Sequence, residues 1–150
     1  MNQVSRFQAA LHGKRVSNVW RGYGSALFLE FGALTPMRKL NGRLGQPIGE
    51  LSLGIEWSWR IENRNSIIGG SWSNERRWPT LFKRLVGRRV ASVEIFGALP
   101  EIAVCLSNGL RVVSFMTADG QPSWAVISRN PSLGSLSVKG GKLHVDADDS

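Results

Sequence analysis

The sequence predicts an α+β, strand-dominated fold. Two tandem helix-plus-antiparallel-strand repeats, residues 1–75 and 76–150, pack as one β-barrel or sandwich-like domain spanning 1–150. Three observations carry this reading. Residues 4–19 lie without a gap over residues 78–93, displaced by 74 positions, so that Leu11, Gly13, Arg15, Val16 and Val19 meet Leu85, Gly87, Arg89, Val90 and Val93. Residues 51–62 alternate apolar and small or charged side chains with period two, the signature of a strand with one wet face. The 17 glycines and six prolines fall between short apolar runs, which favours strands and turns over long helices.

Each repeat is predicted to open on a short helix. Val4, Phe7, Ala10 and Leu11 fall at helical spacing, and Gly13 ends the segment. In the second repeat Asn74 or Thr80 caps, Trp78, Leu81, Phe82 and Leu85 form the apolar stripe, and Gly87 closes it. Pro79 restricts this helix to about two turns, since proline is tolerated only in the first turn. Strands through Val16 and Val19, and through Val90 and Val93, follow.

In the first repeat Leu27, Leu29 and Phe31 share one strand face. Residues 33–49, rich in Gly, Pro and basic side chains, read as a long exposed loop. The strand 51–62 then places Leu51, Leu53, Ile55, Trp57, Trp59 and Ile61 on the core side, and residues 67–72 read as a further hairpin. In the second repeat Asn108-Gly109 predicts a two-residue type I′ hairpin, which pairs Val104 with Val113 and Ile102 with Phe115 on the core face. A turn at residues 118–122 and a strand at 123–127 follow. A last hairpin about Gly140-Gly141 pairs Val138 with Leu143 and Leu136 with Val145, as counterpart to a turn at Gly69-Gly70.

Composition excludes several classes. No apolar run is long enough to span a bilayer, and the N-terminus lacks a signal-peptide core, so cytoplasmic residence is expected. Cys105 is the sole cysteine, which rules out an internal disulfide. His12 and His144 stand in unlike contexts with no ligand spacing around them, and no metal or cofactor is expected. Cys105, between Val104 and Leu106, has no base beside it in sequence, and Glu56 and Glu62 lie roughly 20 Å apart on one extended strand. Gly69-Gly70 and Gly140-Gly141 lack the context of phosphate loops. A non-enzymatic protein follows. Of the six tryptophans, Trp57 and Trp59 are assigned to the core, and Trp72 and Trp78, among polar residues, to partial exposure.

Phe31-Gly32, Gly49-Glu50-Leu51-Ser52-Leu53, Trp57-Ser58-Trp59-Arg60-Ile61-Glu62 and Ile67-Ile68-Gly69-Gly70-Ser71 together form a string. It resembles a group of small uncharacterised bacterial proteins with a Phe-Gly, Gly-Glu, Trp-Arg-Ile strand motif. The resemblance covers roughly the first half and implies a bacterial protein without supplying an activity.

The remaining signal is charge. The net charge is +8, and from Arg76 to Arg89 six bases, Arg76, Arg77, Lys83, Arg84, Arg88 and Arg89, occur without an acid. Arginine suits bidentate recognition of carboxylate or phosphate. These six residues are the predicted partner-binding site of an adaptor- or inhibitor-type interaction module. An acidic protein partner, bound through this patch or through exposed aromatics, is favoured over nucleic acid, and no membrane is involved.

Overall fold

The computed structural model describes residues 2–119 and 123–147. The predicted turn at 118–122 lies partly outside the described residues. Helix α1 (Gln3–Leu11) precedes strands β1 (Val16–Arg21), β2 (Leu27–Phe31), β3 (Leu51–Ile55), β4 (Trp59–Glu62) and β5 (Ile67–Gly70). Helix α2 (Trp78–Leu85), led in by a 3₁₀ turn at Glu75–Arg77, precedes β6 (Val90–Phe96), β7 (Glu101–Leu106), β8 (Arg111–Ser114), β9 (Trp124–Ser128), β10 (Ser135–Lys139) and β11 (Lys142–Asp146).

Two antiparallel sheets pack face to face. One has the order β1-β2-β3-β9-β10-β11, the other β5-β4-β8-β7-β6. This corrects the predicted architecture in two ways. No barrel closes, because each sheet ends in edge strands, β1 and β11 in one and β5 and β6 in the other. Nor do the halves stack in tandem. Each contributes a three-stranded meander to one sheet and then sends its next strands into the other, so β3 pairs with β9 and β4 with β8. Two of the edges carry helices: α1 packs on β6 and α2 on β1. Gln8 Nε2 donates to the outward Val93 carbonyl at 2.9 Å.

Capping and turn chemistry fix the helices. Asn2 Oδ1 accepts from Ser5 N at 2.7 Å, and Gly13 and Gly87 follow the C-caps with φ of +78° and +88°, where a side chain would be strained. The segments after the helices are cross-linked reciprocally. Gly13 N donates to Val90 O (2.8 Å) and Gly87 N to Val16 O (2.7 Å), while Val90 N donates to Lys14 O (2.8 Å) and Val16 N to Arg88 O (2.7 Å). Arg15 and Arg89 form the bridge between them.

The alternating run 51–62 is not one strand. The chain leaves the first sheet at Ile55 and enters the second at Trp59, so Glu56 lies in the connection and Glu62 in the second sheet. Parity breaks in the connection: Ser58 is buried, and Trp57, predicted to be core, is 48% exposed. Trp59, Ile55 and Val104 are buried as predicted, and Trp59 Nε1 donates to Ser25 O at 2.7 Å. Trp124 enters β9 at the other crossover, fully buried, with its Nε1 donating to Pro100 O at 3.0 Å.

The Asn108-Gly109 hairpin is shifted by one residue from the predicted register: Val104 faces Val112 and Ala103 faces Val113. Its loop has three residues, Ser107-Asn108-Gly109, with Gly109 N donating to Leu106 O (3.0 Å), Leu106 N to Leu110 O (2.8 Å), and only Gly109 at positive φ. Phe115 consequently points out of the core and is 54% exposed. Gly69 and Gly70 lie inside β5, not at a turn, whereas the Gly140-Gly141 hairpin pairs Val138 with Leu143 and Leu136 with Val145 as predicted.

Candidate functional site

Arg76, Arg77, Lys83, Arg84, Arg88 and Arg89 are all exposed. Arg76 and Arg77 form the 3₁₀ turn, capped by Asn74 Oδ1, which accepts from Arg76 N at 3.0 Å. Lys83 and Arg84 occupy the last turn of α2, where cations also suit the carbonyl end of the helix. Leu81, Leu85 and Trp78 face inward, and Trp78, predicted to be partly exposed, is 2% exposed with Nε1 donating to Gly70 O. An eight-residue helix spans about 12 Å, so the six charges fall in two groups, at either end of α2. Among the described residues the ion pairs use Lys14, Arg21, Arg60 and Arg111, and none uses these six. Arg77 Nη2 donates to Ile68 O (3.3 Å) and Arg89 Nη1 to Gly13 O (3.0 Å), which leaves guanidinium donors outward.

Arg88 and Arg89, beyond the C-terminal end of α2, stand near residues 33–49, the predicted loop. Residues 33–49 are an antiparallel arm, bridged at Thr35–Ile48 and Arg38–Leu44. Its tip, Leu40-Asn41-Gly42, repeats the three-residue loop of the second half: Gly42 N donates to Lys39 O (2.9 Å), Lys39 N to Arg43 O (2.8 Å), and Gly42 has φ +81°. Asn41 Oδ1 accepts from Arg43 N at 3.0 Å, as Asn108 Oδ1 accepts from Leu110 N at 3.2 Å. The Asn41-Gly42 dipeptide is the signal that reveals this hairpin in sequence. Arg38, Lys39 and Arg43 are exposed, and the segment 33–49 contains no acid.

The arm is anchored at its root. Gly32 N donates to Arg15 O (2.9 Å), which brings the root beside the Arg15–Arg89 bridge and Arg88. Glu50 Oε2 accepts from Ala33 N (2.9 Å), and Glu50 Oε1 accepts from Lys14 Nζ (3.1 Å). The Ala33 N–H first and Lys14 second hold the Glu50 carboxyl below its ordinary range. Beneath the returning chain, Glu30 is 1% exposed and accepts from Trp20 Nε1 (2.8 Å), Gly49 N (3.0 Å) and Ser52 Oγ.

Other chemistry is sparse. The cross-strand partner of Cys105 is Arg111, which sequence neighbours did not disclose. The Cys105 sulfur, ahead of Glu62 and Glu94, holds the Arg111 guanidinium above its ordinary value against the opposing effect of burial. Among the described residues no three His, Cys, Asp or Glu side chains converge to hold a metal ion, and no helix is long and apolar enough to cross a membrane. A cleft of about 400 Å³ opens between Ser58, Arg60, Ile67, Trp72, Phe115 and Thr117, with Trp72 92% exposed. No family model, curated protein or solved structure matches this chain.

Proposed function

We propose that the chain is a non-enzymatic interaction module of two pseudo-repeats that binds an anionic macromolecule through its exposed arginine-rich surface. Nucleic acid is the partner class that the geometry supports best. One observation carries this reading: the exposed bases Arg88 and Arg89, free of ion pairs among the described residues, stand at the root of an acid-free arm bearing Arg38, Lys39 and Arg43, with exposed Lys83 and Arg84 preceding them at the end of α2. A basic surface continued by a projecting basic element is the electrostatic footprint of a polyanion binder. The net charge of +8 acts in the same direction. Cytoplasmic residence and the resemblance to small bacterial proteins fit this reading without extending it.

The acidic-protein reading has an observation of its own. The cleft beside Trp72 and Phe115 combines exposed rings with the Arg60 guanidinium, whose carbon lies 6.0 Å from the Phe115 ring centre. Aromatic and arginine side chains are enriched at protein interfaces.

Charge reversal separates the readings. Lys83→Glu with Arg84→Glu should move folding stability by less than about 0.5 kcal/mol, because both side chains face solvent. It should weaken binding of a labelled DNA duplex at about 50 mM salt, and the deficit should shrink toward about 200 mM. Equal duplex binding by parent and variant at low salt rules out this surface.

A further inference from the structure

Resting on the nucleic-acid reading, the geometry points to residues 33–49 as an arm that lies along a groove of double-stranded DNA, with Leu40 as an apolar wedge at a base step. The arm is ordered by its own hydrogen bonds: Gly45 N donates to Met37 O and Lys39 N to Arg43 O, both at 2.8 Å, and Arg38 Nη1 donates to Gly42 O at 3.0 Å. The fold does not require it, since Ser107-Asn108-Gly109 closes the corresponding hairpin of the second half in three residues. What the extension adds is three cations, no acid, and a tip on which Leu40 is fully exposed.

Each part has a place on a duplex. β-ribbon proteins lay their strands in the major or the minor groove of DNA, and the minor groove is the one from which apolar side chains part base steps. Arg38, Lys39 and Arg43 flank the tip, where phosphates line the groove walls. A leucine is the size of the apolar wedges that part base steps in bent DNA. A strand leaving the arm meets Arg15, Arg88 and Arg89 at its root, so arm and body form one track.

The test is fluorescence anisotropy of an end-labelled DNA duplex with the full chain over a salt series. Arg38→Ala, Lys39→Ala and Arg43→Ala together should flatten the slope of log affinity on log salt by roughly 2 to 3, each lost phosphate contact contributing about 0.9. Leu40→Ala should leave the slope unchanged and abolish the bend read by energy transfer between dyes at the duplex ends. Circular dichroism and melting identical to the parent establish that these exposed positions leave the fold intact. An unchanged slope in the triple variant, with the parent still binding, overturns the arm and spares the surface at its root. A bend retained by Leu40→Ala overturns the wedge, and a parent that binds no duplex overturns both the arm and the nucleic-acid reading.

Discussion

On the outer face of the six-stranded sheet, one row of side chains runs Trp20, Phe28, Gly54, Ala125, Ser137 across β1, β2, β3, β9 and β10. The corresponding row of the five-stranded sheet, across β6, β7, β8, β4 and β5, runs Glu94, Ala103, Val113, Arg60, Gly70. In the adjacent rows Asn18, Glu30, Ser52 and Ile127 stand where the other sheet has Ser92, Cys105, Arg111 and Glu62. The first face is aromatic. Trp20 stacks on Phe28 at 4.3 Å, and the Phe28 ring lies so close to Gly22 and Gly54 that a Cβ at either would sit 2.5 and 2.7 Å from it. The second face is ionic: Glu62 takes Arg60 at 2.9 Å and Arg111 at 2.7 Å, and Arg111 also reaches Glu94 at 3.2 Å.

The same strand order therefore supports opposite surface chemistries. The inner faces share one core, and there the two crossovers place tryptophans alike, Trp59 and Trp124, each with its indole N–H on a backbone carbonyl. The outer faces carry no such constraint. Where the arm returns over the sheet, a carboxylate is sequestered among three donors. Where a three-residue loop leaves the sheet bare, acids and bases pair at the solvent boundary, and such exposed pairs contribute little to stability.

The largest effects should fall on what the halves share. Trp59→Ala and Trp124→Ala should each cost about 3–5 kcal/mol in urea unfolding, from lost burial and the cavity left behind. If one is costly and the other silent, the correspondence of the crossovers breaks. The next effect concerns what distinguishes the outer faces. Glu30→Ala leaves three donors without their acceptor and should cost about 1–3 kcal/mol. Cys105→Ala, at the corresponding half-buried position, should cost less than about 1 kcal/mol. Equal losses in these two variants would show that the first face is no more built than the second.

The smallest effect lies at the root of the arm. Because the folded-state pKa of Glu50 is lowered, its stabilising contribution is complete above the ordinary value of 4.5 and is lost as the pH falls through the depressed value. The Ala33 amide resonance should titrate with a midpoint below 4.5, and Glu50→Gln should remove that titration. A midpoint at or above 4.5 would detach the carboxylate from the arm.

Much of the framework was legible in the chain. Helical spacing of Phe7 and Leu11 and of Leu81 and Leu85, with Gly13 and Gly87 behind them, describes both helices and their ends. Gly140-Gly141 sets the register of the last hairpin, because two consecutive positive-φ residues determine a two-residue turn. At Asn108-Gly109 the same reasoning failed by one residue: Asn108 keeps a negative φ, the loop takes in Ser107, and every outward side chain of β8 changes face. Of the candidate site, the sequence located the basic segment 76–89 but not its neighbour, although Asn41-Gly42 repeats the signal of Asn108-Gly109.

By itself the sequence determined the α+β class, the helix ends, the alternating faces and the excess of arginine, because each of these depends on residues a few positions apart. Only the tertiary structure decided that residues 51–62 serve two sheets, that the sheets stay open, that Trp57 and Phe115 face outward, and that an arm rises beside Arg88 and Arg89. The physical reason is that alternation specifies which face of a strand is apolar but not which partner it pairs with. Pairing is settled by hydrogen bonds between residues distant in sequence, such as Leu53 with Val126 and Ile61 with Val112, and by the core those pairs close around.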